Sequence, residues 1–566
     1  MTSGQPEPIR GIADDYLAEL AELDPGAAEA IGRGSAVRVP WLGPDAFAQR
    51  DQAVRGALTR VRRWQETEAA GRASRADQLL GLALEERLTS DAALDEVGFA
   101  RRLLAPLASP IHLVRQVFDD LPRETPEDYR VVAENLREVP RALREYAATL
   151  STAAGRGHVV ARRQVGLVAD QIDAWVAADF YGGLVAGCPD AALTGQIGEA
   201  AHRATEASVG LAEWLRSDLM GRAPARDAVG HEVYQVTAGA FLGAEVDLDE
   251  LYEWGWQELT RLATEARQVA AAICGEPDAA AAARQLDADP ARRVPTGEPL
   301  RVWLQDRLDA VADAVDGRWF DIPAATRQVE ARMTTAASGV MYYTPPDAAL
   351  TRPGRVWWTV PDGTTHVATW REVSTVHHEG VPGHHLQHAV TYALTDLHPW
   401  QRLLCHVHGY AEGWAHYAEQ LAGEIGLLDD PGDRLGQIHA QLWRACRIVI
   451  DLGLHLELPI PAGNGFVESE TWTPEAGAEM LHRVAGVDPQ TARFEVDRYL
   501  GWPGQALAFK VGSRLWHQVR EEAQRARGSA FDLRTFHAEA LALGPMGLDP
   551  LRAGLAMLTA ERTAET

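Results

Sequence analysis

Apolar residues recur three and four positions apart over most of this chain, with Ala, Leu, Glu and Arg filling the intervals, a spacing that predicts amphipathic helices. Residues 12–23, 45–68 and 252–273 show it most plainly. Pro and Gly clusters near 105–110, 120–127, 222–231, 286–298 and 460–466 mark turns, and the alanine run 279–283 reads as the start of a helix or a connecting loop. No internal repeat or linker composition interrupts the pattern. The expected fold is therefore mostly α, one domain over 1–566, with a helical N-terminal part at 1–330 and the informative motifs in 331–566.

One segment breaks the helical period. Arg355–Val360 and Thr364–Thr369 are β-rich runs around Pro361-Asp362-Gly363, which predicts a hairpin. Thr369-Trp-Arg-Glu372 then fits a capping box that starts the next helix.

That helix carries the run His378-Glu379-Gly-Val-Pro-Gly-His384. It is a stretched form of H-E-x-x-H, in which two histidines on one helical face hold zinc and the glutamate takes a proton from the attacking water. Six residues at about 100° each turn a regular helix by roughly 240°, so His378 and His384 could not share an ion on an undistorted one. Pro382-Gly383 supplies a distortion, and a bulge there is expected to restore the register.

A catalytic zinc needs a third protein ligand. Glu412, in the helical stretch Gly409–Gln420, is the candidate, with Glu419 and Glu424 as rivals further along. His384 and His388 have true i, i+4 spacing, but position 385 is His and offers no general base. The remaining histidines, His377, His385, His406, His408 and His416, read as hydrogen-bonding neighbours of the cleft.

Composition narrows the class. With 566 residues and 46% hydrophobic content the chain can bury a large core, and a net charge of −26 argues against a nucleic-acid partner. No run approaches 18 apolar residues, so no membrane span is expected. Cys188, Cys274, Cys405 and Cys446 are widely spaced, and the first residues lack a basic start and apolar run; a cytoplasmic location is the expectation. Of 54 basic residues, Lys510 is the single lysine. Arginine and lysine differ in shape and hydration, so the exception invites a specific role.

His378–Gln387, Glu412-Gly-Trp-Ala-His-Tyr417, Arg447–His455 and Arg498–Leu507 look like successive signatures of the bacterial DUF885 family of zinc peptidases, and Tyr16–Pro25 and Tyr342-Tyr-Thr-Pro-Pro346 resemble it too. The resemblance runs nearly end to end. It implies a fold similar to M32 carboxypeptidases, a gluzincin-like helical body with a deep central channel and a small β-hairpin or sheet beside the metal helix. It implies His378, His384 and Glu412 as ligands of one zinc, with manganese or cobalt as substitutes, and Glu379 as general base. Arg498-Tyr499 is similar to the Arg-Tyr pair of angiotensin-converting-enzyme-like peptidases, which nominates Tyr499 as oxyanion donor with His455 as the substitute. His416, and Trp357-Trp358 in the β segment, depart from the family pattern and bear on substrate preference.

A carboxypeptidase also needs a cation for the substrate's terminal carboxylate. Arg498, Lys510, Arg447 and Arg493 lie near the motifs in sequence; a buried ion pair of Lys510 with Glu495 or Asp497 is the competing explanation. Gln505 and Tyr343 complete the expected substrate contacts. The leading expectation is a zinc-dependent peptidase acting on short peptides. Two alternatives stand beside it: a non-haem iron enzyme with the same ligands, and a catalytically silent metal- or peptide-binding protein. Oligomeric state is open, a homodimer included.

Overall fold

A computed structural model describes residues 7–334, 341–346, 350, 352–360 and 363–565, without the side chains of 120 and 561–565. Among the described residues helices predominate, with five short strands, and the predicted helices are present as Ile9–Leu23, Pro44–Gln65 and Leu248–Cys274. The alanine run begins the helix Ala279–Ala288, capped by the Asp278 carboxylate. Among the described residues no helix is long and apolar enough to cross a membrane.

The chain divides into two compact units: Met1–Thr237 with Leu454–Leu458 and Arg493–Pro503, and Ala238–Gly453 with Pro459–Ala492 and Gly504–Thr566. In the first, the long helices Pro126–Gly155 and Ala191–Trp214 pack along one another. Leu136, Tyr146, Ile197 and Leu211 belong to their shared core, and each fully buried Leu or Ile contributes about 1.5–3 kcal/mol. The longer helix starts at a complete capping box: Thr125 Oγ1 accepts from the Asp128 amide, the Asp128 carboxylate accepts from the Thr125 amide, and Pro126 occupies the first turn.

The second unit holds the strands. β1 (Arg293–Pro295) pairs antiparallel with β5 (His366–Ala368). In a separate sheet β2 (Val329–Thr334) runs parallel to β4 (Gly354–Thr359), and β3 (Tyr342–Thr344) lies antiparallel on β4's other edge. The predicted hairpin is therefore not formed: its two runs enter different sheets, and Pro361 and Asp362 of its turn lie outside the described residues. β4 alternates, burying Gly354, Val356 and Trp358. Val356 and Trp358 pack with Val329, Ala331, Val376 and Leu300, Leu304 and Leu308 of the helix Glu298–Val315. That burial fixes β4 between two partners, so it offers no free edge.

The capping box at Thr369 is not formed either. Thr369 Oγ1 donates to the Arg292 carbonyl at 3.1 Å, and half-buried Glu372 accepts from Trp358 Nε1 at 2.9 Å. Packing against the sheet has claimed both side chains.

Candidate metal centre

The motif does not sit on one bulged helix. The chain is helical over Thr369–Glu379, breaks at 380–383, and starts a second helix, His384–Ala393. A Cβ on Gly383 would lie 1.9 Å from the His378 carbonyl oxygen, so only glycine permits this close return of the chain. Trp414, on the helix His408–Glu424, donates its indole N–H to the carbonyls of Pro382 and Gly383 at 2.8 and 3.3 Å. The break is thus tied to the helix that supplies Glu412, two residues before Trp414. Two short helices achieve what a bulge was expected to do: the His378 and His384 rings meet edge to face, centroids 4.9 Å apart.

Glu412 completes the cluster. Its Oε2 lies 3.3 Å from His378 Nε2 and 3.5 Å from His384 Nε2, yet this buried oxygen has no hydrogen-bond partner. Donors about 2.0–2.2 Å from a tetrahedral zinc stand roughly 3.3–3.5 Å from one another, so the observed separations are those of ligands around one ion. A buried acceptor left without a partner costs about 1–3 kcal/mol, and a cation would satisfy it together with both nitrogens. The residues present fit the group. His378 is 5% exposed at its side chain, His384 12% and Glu412 23%, so the cluster opens toward His384 and Glu412.

Glu419 orients His378. It accepts from His378 Nδ1 at 2.7 Å, which leaves Nε2 to face Glu412, and its other oxygen accepts from Ser374 at 2.8 Å. Ser374 sits one turn before His378, while His416 and Glu419 lie one and two turns after Glu412 on the same helix face. That spacing is the sequence signal by which Glu419 could have been placed behind His378 and on the same helix face as Glu412. The other rival, Glu424, pairs with Arg520 at 2.8 Å. Burial disfavours charge on His378, but Glu412 and Glu419 outweigh it and push the imidazole up to about 10; both carboxyls are held well below their usual range. The cluster selects positive charge.

Glu379 is buried next to His378, at 7% exposure. Phe509 stacks on the His378 ring with centroids 6.3 Å apart, and the Arg447 guanidinium lies 4.6 Å from the Phe509 centroid. Tyr343 donates to His385 Nδ1 at 3.0 Å, while His385 Nε2–H donates to the Arg327 carbonyl at 3.3 Å. The alternative pair is not assembled: His388 stacks on Tyr343, centroids 5.4 Å apart, and burial pushes it down to about 3.

Lys510 has neither of the partners anticipated for it. Its ammonium pairs with Glu258 at 2.9 Å and donates to Gln441 Oε1 at 2.6 Å. Tyr499, Arg498 and His455 form a cluster of their own in the first unit. Arg498 forks onto Glu495 at 3.0 and 2.9 Å, the Tyr499 hydroxyl donates to Glu495 at 2.7 Å, and His455 Nε2–H donates to the Tyr499 carbonyl at 3.1 Å. Burial pushes His455 down to about 4, keeping it neutral. Gln505 is buried in the turn that follows the helix Pro489–Gly501.

Fold and cluster together define a mostly helical protein with a partly buried cluster of two histidines and one glutamate able to hold a metal. Residues 25–555 match the family described as a bacterial protein of unknown function, DUF885, and the chain belongs to that family. No curated protein matches it. Among solved structures it is similar to a presumed lipoprotein from Colwellia psychrerythraea, with a TM-score of 0.82 at 19% identity over 98% of this chain and 100% of the other. A presumed lipoprotein of unknown function from Shewanella oneidensis gives 0.73 at 16%, over 98% and 100%. These likenesses show the fold. Metallocarboxypeptidase 1 of Trypanosoma cruzi gives 0.37 at 13%, over 98% and 91%, too loose to carry an argument.

Proposed function

We propose that this chain is a metal-dependent hydrolase of short peptides, with His378, His384 and Glu412 holding one zinc ion. The observation that carries the reading is the buried Glu412 Oε2, without a hydrogen bond but at ligand spacing from two ring nitrogens. The donor set also accepts manganese or cobalt. The bound ion would supply Lewis acidity, acidifying water and polarising a carbonyl.

The chain's residues do the rest. Glu379 takes the proton of the attacking water and returns it to the leaving amine. Glu419 holds the proton of His378 on Nδ1, so Nε2 presents its lone pair to the ion. An iron centre with the same ligands would have no use for Glu379, and a silent binding protein would need no general base.

The test is peptide turnover by wild-type protein and Glu379→Gln, each with its metal content measured. The variant keeps its metal and loses roughly 10²–10⁴ in kcat; undiminished hydrolysis would overturn the mechanism. Carboxypeptidase action is the narrower reading, supported by the position of Arg447 beside Phe509. Turnover lost only when the substrate's C-terminus is blocked supports it; turnover lost only with a blocked N-terminus contradicts it. All four cysteines are free thiols, which accords with a reducing, cytoplasmic setting; recovery of the chain in the membrane fraction would contradict that.

A further inference from the structure

Behind Glu419 the polar contacts continue inward. Gln441, on the helix Pro431–Leu456, donates from Nε2 toward Glu419 Oε2 at 3.4 Å and stands 3.3 Å from His416 Nδ1. Its Oε1 accepts from Lys510 at 2.6 Å and from Gln420 at 2.7 Å. Lys510 is 3% exposed at its side chain, and its ammonium pairs with Glu258, which Arg261 also grips with two contacts of 2.7 Å. One buried chain of contacts therefore runs from the ligand His378 through Glu419 and Gln441 to the only lysine in the sequence.

The direction of that chain is set at its inner end. An amide can face either way, but an ammonium only donates, so Gln441 must turn its oxygen to Lys510 and its nitrogen to Glu419. Reversed, the amide would bring its NH₂ against Lys510 and its oxygen against the Glu419 carboxylate, repulsive at both ends. Gln420 adds a second donor on the same oxygen. Lys510 also attracts the Glu419 carboxylate directly.

We propose that Lys510 is a positioning residue for the metal centre: its ammonium sets the orientation of Gln441, which helps fix Glu419 and, through it, the ring of His378. The inference rests on the metal-binding reading above. It also accounts for a lysine in a chain that elsewhere uses arginine, because a compact ammonium serves Gln441 and Glu258 from one point.

The test is the affinity and absorption spectrum of Co²⁺ bound to the full chain, with Zn²⁺ affinity by competition, in wild-type, Lys510→Met, Gln441→Leu and the double variant. Lys510→Met is expected to weaken metal binding roughly tenfold and shift the Co²⁺ bands, with Glu258 still held by Arg261. Gln441→Leu leaves the Lys510–Glu258 pair intact and is expected to match it. The double variant is expected to be no weaker than either single one, because the two act in series. Wild-type affinity and spectrum in Lys510→Met overturn the inference; so do losses that multiply in the double variant. If Lys510→Met fails to fold, an unchanged Gln441→Leu overturns it alone. A wild-type chain that binds neither ion removes the metal-centre reading itself, a distinct result.

Discussion

Glu412 and Glu495 are both glutamates in polar clusters built on helices, and they differ in how their charge is met. Glu495 receives a fork from Arg498 and a hydroxyl proton from Tyr499, all from its own helix within one turn. Glu412 presents an oxygen with no hydrogen bond to two ring nitrogens at ligand spacing. The first arrangement is complete with the side chains present, and the second would be completed by a cation. Ligand spacing from two ring nitrogens, joined to an acceptor without a hydrogen bond, points to the site more sharply than the number of titratable residues does.

Removing a ligand sharpens the contrast most. His384→Ala is expected to abolish stoichiometric metal binding, read by metal analysis after dialysis, and with it all hydrolysis; retained metal would move the site elsewhere. Glu419→Gln comes next. It leaves the three ligands in place and is expected to weaken zinc affinity 10–100-fold, measured by chelator competition. Gly383→Ala forces a Cβ onto the His378 carbonyl and is expected to cost about 1–3 kcal/mol in denaturant unfolding, with weaker zinc binding. Tyr499→Phe is the smallest. It removes one hydrogen bond to Glu495 and is expected to cost about 1 kcal/mol of stability, with kcat changed less than about tenfold. A kcat loss of about 10²-fold or more would instead restore the oxyanion role that the Arg498-Tyr499 pair suggested.

Much of this was legible in the sequence because it is local. Helix periodicity located Ile9–Leu23, Pro44–Gln65 and Leu248–Cys274, and the spaced histidines with Glu412 identified the cluster. What escaped depends on distant partners. The alternation at Arg355–Val360 reported a strand correctly but not that Val329–Thr334 would pair with it in parallel, and an adjacent turn sequence made a local hairpin look sufficient. Proline and glycine at 382–383 marked a distortion, yet whether a helix bulges or breaks depends on Trp414 holding the freed carbonyls. Gln441 and Glu258 carried no signal, since a polar residue on an amphipathic helix reads the same whether it meets solvent or a buried lysine.

On the proposed mechanism, one ion at His378, His384 and Glu412 and one base at Glu379 perform hydrolysis together. Metal content and peptide turnover measured on the same preparation of Glu379→Gln test it most directly. One ion per chain is expected, as in the wild type, with kcat reduced roughly 10²–10⁴-fold. Turnover equal to the wild type's in that variant would contradict it.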